Sequence, residues 1–146
     1  MEKSLVFTKI YEESEYNGYI ATDEYICYEN NKIPVKALWD TGSSDSVISS
    51  DLAKRLGLHS VGKAKINSSG STYQSGLYEV VLLLDEKETI NLHVMESHQL
   101  DKSGIDMLIG LDVICLGDFA LSTYDGTICL SFRMPSKGLI NFNDNS

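Results

Sequence analysis

Short runs rich in branched and aromatic residues, each broken by Gly, Asn, Asp or Ser, make up most of the chain. Val6 to Tyr11, Gly18 to Tyr28, Ile33 to Trp39, Tyr78 to Leu84 and Thr89 to Met95 have this character and predict β-strands. Later, Ala120 to Tyr124 and Thr127 to Phe132 flank Asp125-Gly126, a dipeptide suited to the positive backbone angles of a two-residue hairpin turn. Pro34 is expected at a strand start, where its missing N–H does least harm. The period changes near residue 50: Ile48, Leu52 and Leu56 fall at helical spacing. Ser50 is the predicted cap of that helix, Asp51 complements the positive end of its dipole, and Lys54 and Arg55 lie towards its end. Gly57 suits a left-handed stop. A second, shorter helical turn is expected from Leu111 to Leu116, between Gly110 and Gly117. No repeat, low-complexity stretch or linker interrupts the pattern, so residues 1–146 are expected to form one mainly β domain. The polar ends, Met1 to Lys3 and Asn141 to Ser146, are expected to fray.

Composition narrows the possible partners. With 146 residues there is enough chain for one core and none for a second large lobe. Twelve Lys+Arg against 21 Asp+Glu give a net charge of −9. Such a surface repels phosphate backbones and anionic lipid, which argues against nucleic-acid and membrane binding. The longest apolar run, Val80 to Leu84, is five residues, far short of a bilayer span. Met1 to Phe7 lacks the basic start and long apolar stretch of a secretion signal, so a cytoplasmic location is expected. Cys27, Cys115 and Cys129 are odd in number and widely spaced, which disfavours a disulfide framework or a zinc knuckle. Their apolar neighbours predict small core residues.

The chemistry concentrates in Ala37-Leu38-Trp39-Asp40-Thr41-Gly42-Ser43-Ser44-Asp45-Ser46-Val47-Ile48. An apolar strand runs directly into an acid, a β-branched hydroxyl and a glycine, so the acid stands at the end of a rigid, half-buried element. Apolar surroundings and a nearby second carboxylate both raise a carboxyl's pKa, which are conditions for general acid–base work. Asp40-Thr41-Gly42-Ser43 resembles the catalytic signature of the retropepsin-like aspartic proteases, the single-lobe retroviral type. Asp106-Met107-Leu108-Ile109-Gly110-Leu111-Asp112 is similar to that family's second element, and Asn67 to Gly76 resembles the tip of its flap hairpin, although a plain surface hairpin would serve the same residues. An Asp-Thr-Gly tripeptide alone occurs by chance in roughly 2–3% of chains of this size. The ordered set, with Gly110 lying 70 positions (110 − 40) beyond Asp40, is far more specific. The likeness is strongest over residues 32–132, leaving 1–31 as a β-rich N-terminal extension.

The resemblance implies a closed β-barrel of the acid-protease type with one or two short helices. It also implies peptide-bond hydrolysis without cofactor, metal or covalent intermediate. Because the chain carries one Asp-Thr-Gly, the family's pair of aspartates requires a homodimer with Asp40 supplied twice. Thr41 would then bond the opposite loop, Gly42 would leave its backbone free for an extended peptide, and Ser43 would bond the outer oxygen of Asp40. Asp45 would touch substrate backbone, Ser71, Thr72 and Tyr73 would contact it from the flap, and Asp112 would be structural. Chain termini and the Asp40 loop are expected to supply dimer contacts. The alternative is a peptide-binding or dimerisation module on the same fold with little or no cleavage. Other motifs are weaker. Gly57 to Ala64 has the Gly and Lys spacing of a phosphate loop, but ends without a hydroxyl and follows a helix. His59 stands alone, and His93 and His98 are spaced poorly for shared metal ligation.

Overall fold

The computed structural model describes residues 4–68 and 70–145, with the backbone alone at 64, 66, 68, 71, 73 and 145. Its strands are β1 (Leu5–Glu12), β2 (Ala21–Tyr28), β3 (Asn31–Trp39), β4 (Val47–Ser49), β5 (Gly62–Ser68), β6 (Ser71–Leu84), β7 (Glu88–Ser97), β8 (Met107–Ile109), β9 (Asp118–Tyr124) and β10 (Thr127–Met134). Helix α1 (Ser50–Leu56) follows β4 directly, and α2 (Leu111–Ile114) follows β8. Strands β2, β3, β8, β4, β7 and β6 are neighbours in that order, and a β6–β2 pairing of Tyr25↔Leu83 to Cys27↔Val81 closes them into a six-stranded barrel. Strand β5 extends one edge by pairing with the first half of β6, from Ser68↔Ser71 to Gly62↔Leu77. The second half of β6 turns into the barrel against β7. Strands β1, β10 and β9 form a separate antiparallel sheet. Its β9–β10 hairpin turns at Asp125-Gly126, both with positive φ, as the dipeptide predicts.

Alternation fixes which residues fill the barrel. Ile26, Leu82, Val94, Met107 and Ile109 point inward and are fully covered. The three-stranded sheet closes one side of this core with an aromatic group. Trp39 packs against Phe7 at 5.9 Å between ring centroids, Phe119 at 5.6 Å and Phe132 at 5.2 Å. Each such ring pair adds about 0.5–1.5 kcal/mol. The Trp39 indole N–H also donates to the buried Thr22 hydroxyl at 2.9 Å. Residue 39 is therefore pinned from three strands of one sheet and from β2, immediately before the acid of interest.

Several sequence expectations change in the folded chain. Ser49, not Ser50, caps α1: its hydroxyl accepts the Leu52 N–H at 3.0 Å, because β4 delivers residue 49 in extended conformation and the helix begins one residue later. Gly57 ends that helix with φ of 66°, as predicted. The second helix stops at Ile114, shorter than its predicted span. Pro34 lies within β3 instead of at its start, opposite Tyr25. It is tolerated there because β8 covers only Ala37 to Trp39 on the other side of β3. None of the three cysteines is a buried core residue; Cys115 is exposed, and Cys27 and Cys129 are half-buried. Cys27 follows the fully buried Ile26, and Cys129 lies between the buried Ile128 and Leu130. Apolar neighbours along a strand thus put the intervening residue on the opposite face.

Candidate active site

Topology places a crossing at the end of β3. Strand β8 lies between β3 and β4, parallel to the first and antiparallel to the second. Residues 40–46 must therefore pass over the end of β8, where Ile109 gives way to Gly110. A side chain on Gly110 would fall 2.7 Å from the backbone of Asp45 and 2.8 Å from the Ser43 carbonyl, so only glycine allows the loop to lie this close.

The loop is held from beneath by backbone groups and one acid. Asp40 N–H donates to the Ile109 carbonyl at 2.9 Å, Leu111 N–H to the Ser43 carbonyl at 2.8 Å, and Asp112 N–H to the Ser44 carbonyl at 3.1 Å. Buried Ser46 completes the join. Its N–H and hydroxyl donate to the two carboxylate oxygens of Asp112 at 2.9 and 2.7 Å, and Gly110 N–H donates to its hydroxyl at 3.1 Å. Asp112 thus faces the back of the loop with both oxygens engaged, the structural role expected for it. Asp40 itself is half-buried, and its Oδ1 accepts the Gly42 N–H at 2.9 Å. That bond turns the carboxylate towards the tip of its own loop.

The other expected residues divide into two groups. Thr41, Gly42, Ser43 and Asp45 share this loop; Thr41, Gly42 and Asp45 are exposed and Ser43 is half-buried. In the single chain the Ser43 hydroxyl donates to the Asp45 carbonyl at 2.6 Å instead of to Asp40, because the tight turn puts that carbonyl nearest to it. The Ser44 hydroxyl donates to the Asp45 carboxylate at 3.1 Å. Thr72 belongs to a different element, the β5–β6 hairpin, where its hydroxyl donates to the Asn67 side chain at 2.7 Å. The side chains of Ser71 and Tyr73 lie outside the described residues. At the root of the hairpin, the Ser75 hydroxyl accepts the Glu96 N–H at 2.9 Å. There the Tyr78 hydroxyl donates to the Glu96 carboxylate at 2.6 Å, a bond that pushes the phenol up to about 12. Sequence reasoning missed Ser46, Trp39 and Thr22 as supports of the loop. Nothing in the local sequence marks Ser46 among its serine neighbours.

A family model described as aspartyl protease matches residues 26–113, which is 88 of the 146 residues. The chain belongs to the aspartyl protease family. Its fold is similar to that of a retropepsin-like aspartic protease from Rickettsia conorii, at 16% identity and a TM-score of 0.59, over 92% of this chain and 98% of that one. It is also similar to the EIAV protease, solved in complex with the inhibitor HBY-793, at 20% identity and a TM-score of 0.52, over 68% of this chain and 89% of that one. The first likeness extends beyond residues 32–132, so part of the N-terminal segment has a structural counterpart. No curated protein sequence matches significantly. Within this aspartyl protease fold, Asp40 is the acid that the barrel, the aromatic group and α2 together hold at the surface.

Proposed function

We propose that the chain is an aspartic endopeptidase that acts as a homodimer, with one Asp40 from each copy. The observation that carries this reading is the held but half-exposed Asp40 carboxylate, presented on an exposed loop in a chain of this family with no second Asp-Thr-Gly. Two carboxylates at close quarters cannot both ionise and share one proton. The ionised Asp40 takes a proton from the attacking water while the protonated one donates to the scissile carbonyl oxygen. Water oxygen bonds to the carbonyl carbon, and collapse of that intermediate releases the amine after it gains a proton. The exposed Thr41 hydroxyl serves the opposite loop across the axis. Gly42, Asp45 and the hairpin residues Ser71, Thr72 and Tyr73 bond an extended segment, adding it to the sheet like a further strand. The substrate class is therefore an unfolded or looped protein segment.

The test is cleavage of a mixed peptide library at several pH values by the wild type and Asp40→Asn. Asparagine preserves shape but not the shared-proton chemistry, so cleavage should fall by at least about 10³-fold. Equal cleavage by both proteins would remove Asp40 from the mechanism. Tight peptide binding with no cleavage by either would assign the fold to peptide capture.

A further inference from the structure

Strand β6 changes partners part-way along its length. Leu77 is the turning point, lying opposite Gly62 of β5 and also opposite Met95 of β7. Before it the chain belongs to the β5–β6 hairpin, and after it to the barrel. Met95 in turn faces Val47 of β4 on its other side, and β7 continues beside β4 as Glu96↔Ile48 and Ser97↔Ser49. The next rung of the β6–β7 ladder would join Gly76 to Glu96, and the ladder stops before it. A fork therefore opens at Glu96, with the hairpin on one branch and β4 on the other.

Side chains close this fork where the backbone ladder does not. Glu96 N–H donates to the buried Ser75 hydroxyl at 2.9 Å in place of a strand carbonyl, and that hydroxyl donates to the Gly76 carbonyl at 2.8 Å. The buried Tyr78 reaches back along its own strand and donates to the half-buried Glu96 carboxylate at 2.6 Å. Tyr78 and Gly76 share one face of β6. A side chain on Gly76 would fall 2.6 Å from the Tyr78 hydroxyl oxygen and 2.8 Å from the ring carbon that bears it, so glycine at 76 leaves the ring its path to Glu96. Hydrogen bonds to a carboxylate are the stronger kind, which makes this the firmest tie at the root of the hairpin. Glu96 is also joined to the Asp40 loop. Its partner Ile48 follows Ser46 by two residues, and Ser46 fixes the end of that loop on Asp112.

We infer that Tyr78 and Glu96, with Ser75, form a clasp that sets the angle of the β5–β6 hairpin against the strand leaving the Asp40 loop, and so act as positioning residues for the bound peptide. This rests on the reading above, in which the hairpin contacts the peptide, and names what holds the hairpin in place. Without the clasp, only a fraction of molecules present the hairpin for binding, and KM rises by the inverse of that fraction. Chemistry at Asp40 in the bound complex is untouched, so kcat is kept.

Peptide-cleavage kinetics and hydrogen exchange of the full chain test the clasp. Tyr78→Phe keeps the ring over Gly76 and removes only the hydroxyl, Glu96→Ala removes the acceptor, and Glu96→Gln keeps an acceptor oxygen. Tyr78→Phe and Glu96→Ala should each raise KM at least about fivefold with kcat within about twofold. Together they should do little more than either alone, and Glu96→Gln should restore KM to within about twofold of the wild type. Exchange needs no substrate. In Tyr78→Phe the amides of residues 62–68 and 71–77 should exchange at least about fivefold faster, while those of 80–84 and 90–94 in the barrel stay as in the wild type. Unchanged hairpin exchange, equal acceleration in the barrel, additive effects of the two substitutions, or a fall in kcat at constant KM would each overturn the inference. Faster hairpin exchange in Tyr78→Phe, with no cleavage by any of these proteins, would keep the clasp and remove the catalytic reading. Cleavage by the wild type, with hairpin exchange indifferent to Tyr78→Phe, would do the reverse.

Discussion

Glu24 points into the barrel with 3% of its surface exposed, an unusual place for a carboxyl. Burial pushes its pKa up, opposed by the Asp85 N–H, which donates to Glu24 Oε1 at 2.8 Å, and by Thr22. The charges of Asp85 and Asp23 push it further up. The folded chain therefore keeps this proton to a higher pH than the unfolded chain does. Its contribution favours folding below the ordinary glutamate range and is lost as pH rises through the raised folded value. Lowering pH from neutral towards the ordinary glutamate range should thus raise the melting temperature of the wild type, and Glu24→Gln should flatten that rise while keeping the Asp85 bond. A thermal-melt series across this window checks it; the same pH slope in both proteins would assign the effect elsewhere. Asp118 works in the opposite sense and at lower pH. The Ser136 hydroxyl, the Lys137 amide and Arg133 hold its carboxyl down at about 2. None of this is visible at the single-residue level in sequence, where Glu24 is one acid in a polar-alternating strand.

At the scale of elements, the feature that makes the site is the crossing of the 40–46 loop over β8. The Asp-Thr-Gly motif and the Leu-Ile-Gly motif are each legible in sequence, but their contact is not. Strands β4 and β8 have three residues each and follow no alternation long enough to predict. They exist because the barrel supplies neighbours on both sides. Strand β5 is similarly hidden, since its Lys-Ala-Lys pattern is that of an exposed edge. Gly110→Ala tests the crossing. The added methyl would meet backbone, not a flexible side chain, so the loop must shift at a cost of about 1–3 kcal/mol. Denaturant unfolding should show that loss, and peptide cleavage should fall further than stability explains, because Asp40 moves with the loop. Wild-type stability in this variant would mean that α2 does not fix the loop.

For the whole molecule, charge sets the conditions of assembly. Two copies carry −18 (twice −9), so repulsion opposes the proposed dimer. Screening shortens from about 10 Å at 0.1 M salt to about 3 Å at 1 M. Raised salt or mildly acid buffer should therefore tighten the proposed dimer and increase the proposed activity at low protein concentration. A sedimentation series that depends on neither would place the dominant dimer energy in contacts indifferent to net charge.

The sequence by itself determined the local chemistry: most strands, the Asp125-Gly126 turn, the Gly57 helix stop, and an acid at the end of an apolar strand. These depend on backbone preference and side-chain period within a few residues, and Asp40 to Ser43 carry a family signature in one unbroken stretch. Only the tertiary structure decided which serine caps α1, that Ser46 and Asp112 tie the loop to the second helix, that Ser43 bonds Asp45, and that Cys115 is exposed. It also decided that β1 and β9 both pair with β10 and so form the two edges of the small sheet. Those outcomes depend on which strand arrives as a neighbour, over separations such as the one joining Ser46 to Asp112. Alternation along a single strand carries no record of that neighbour.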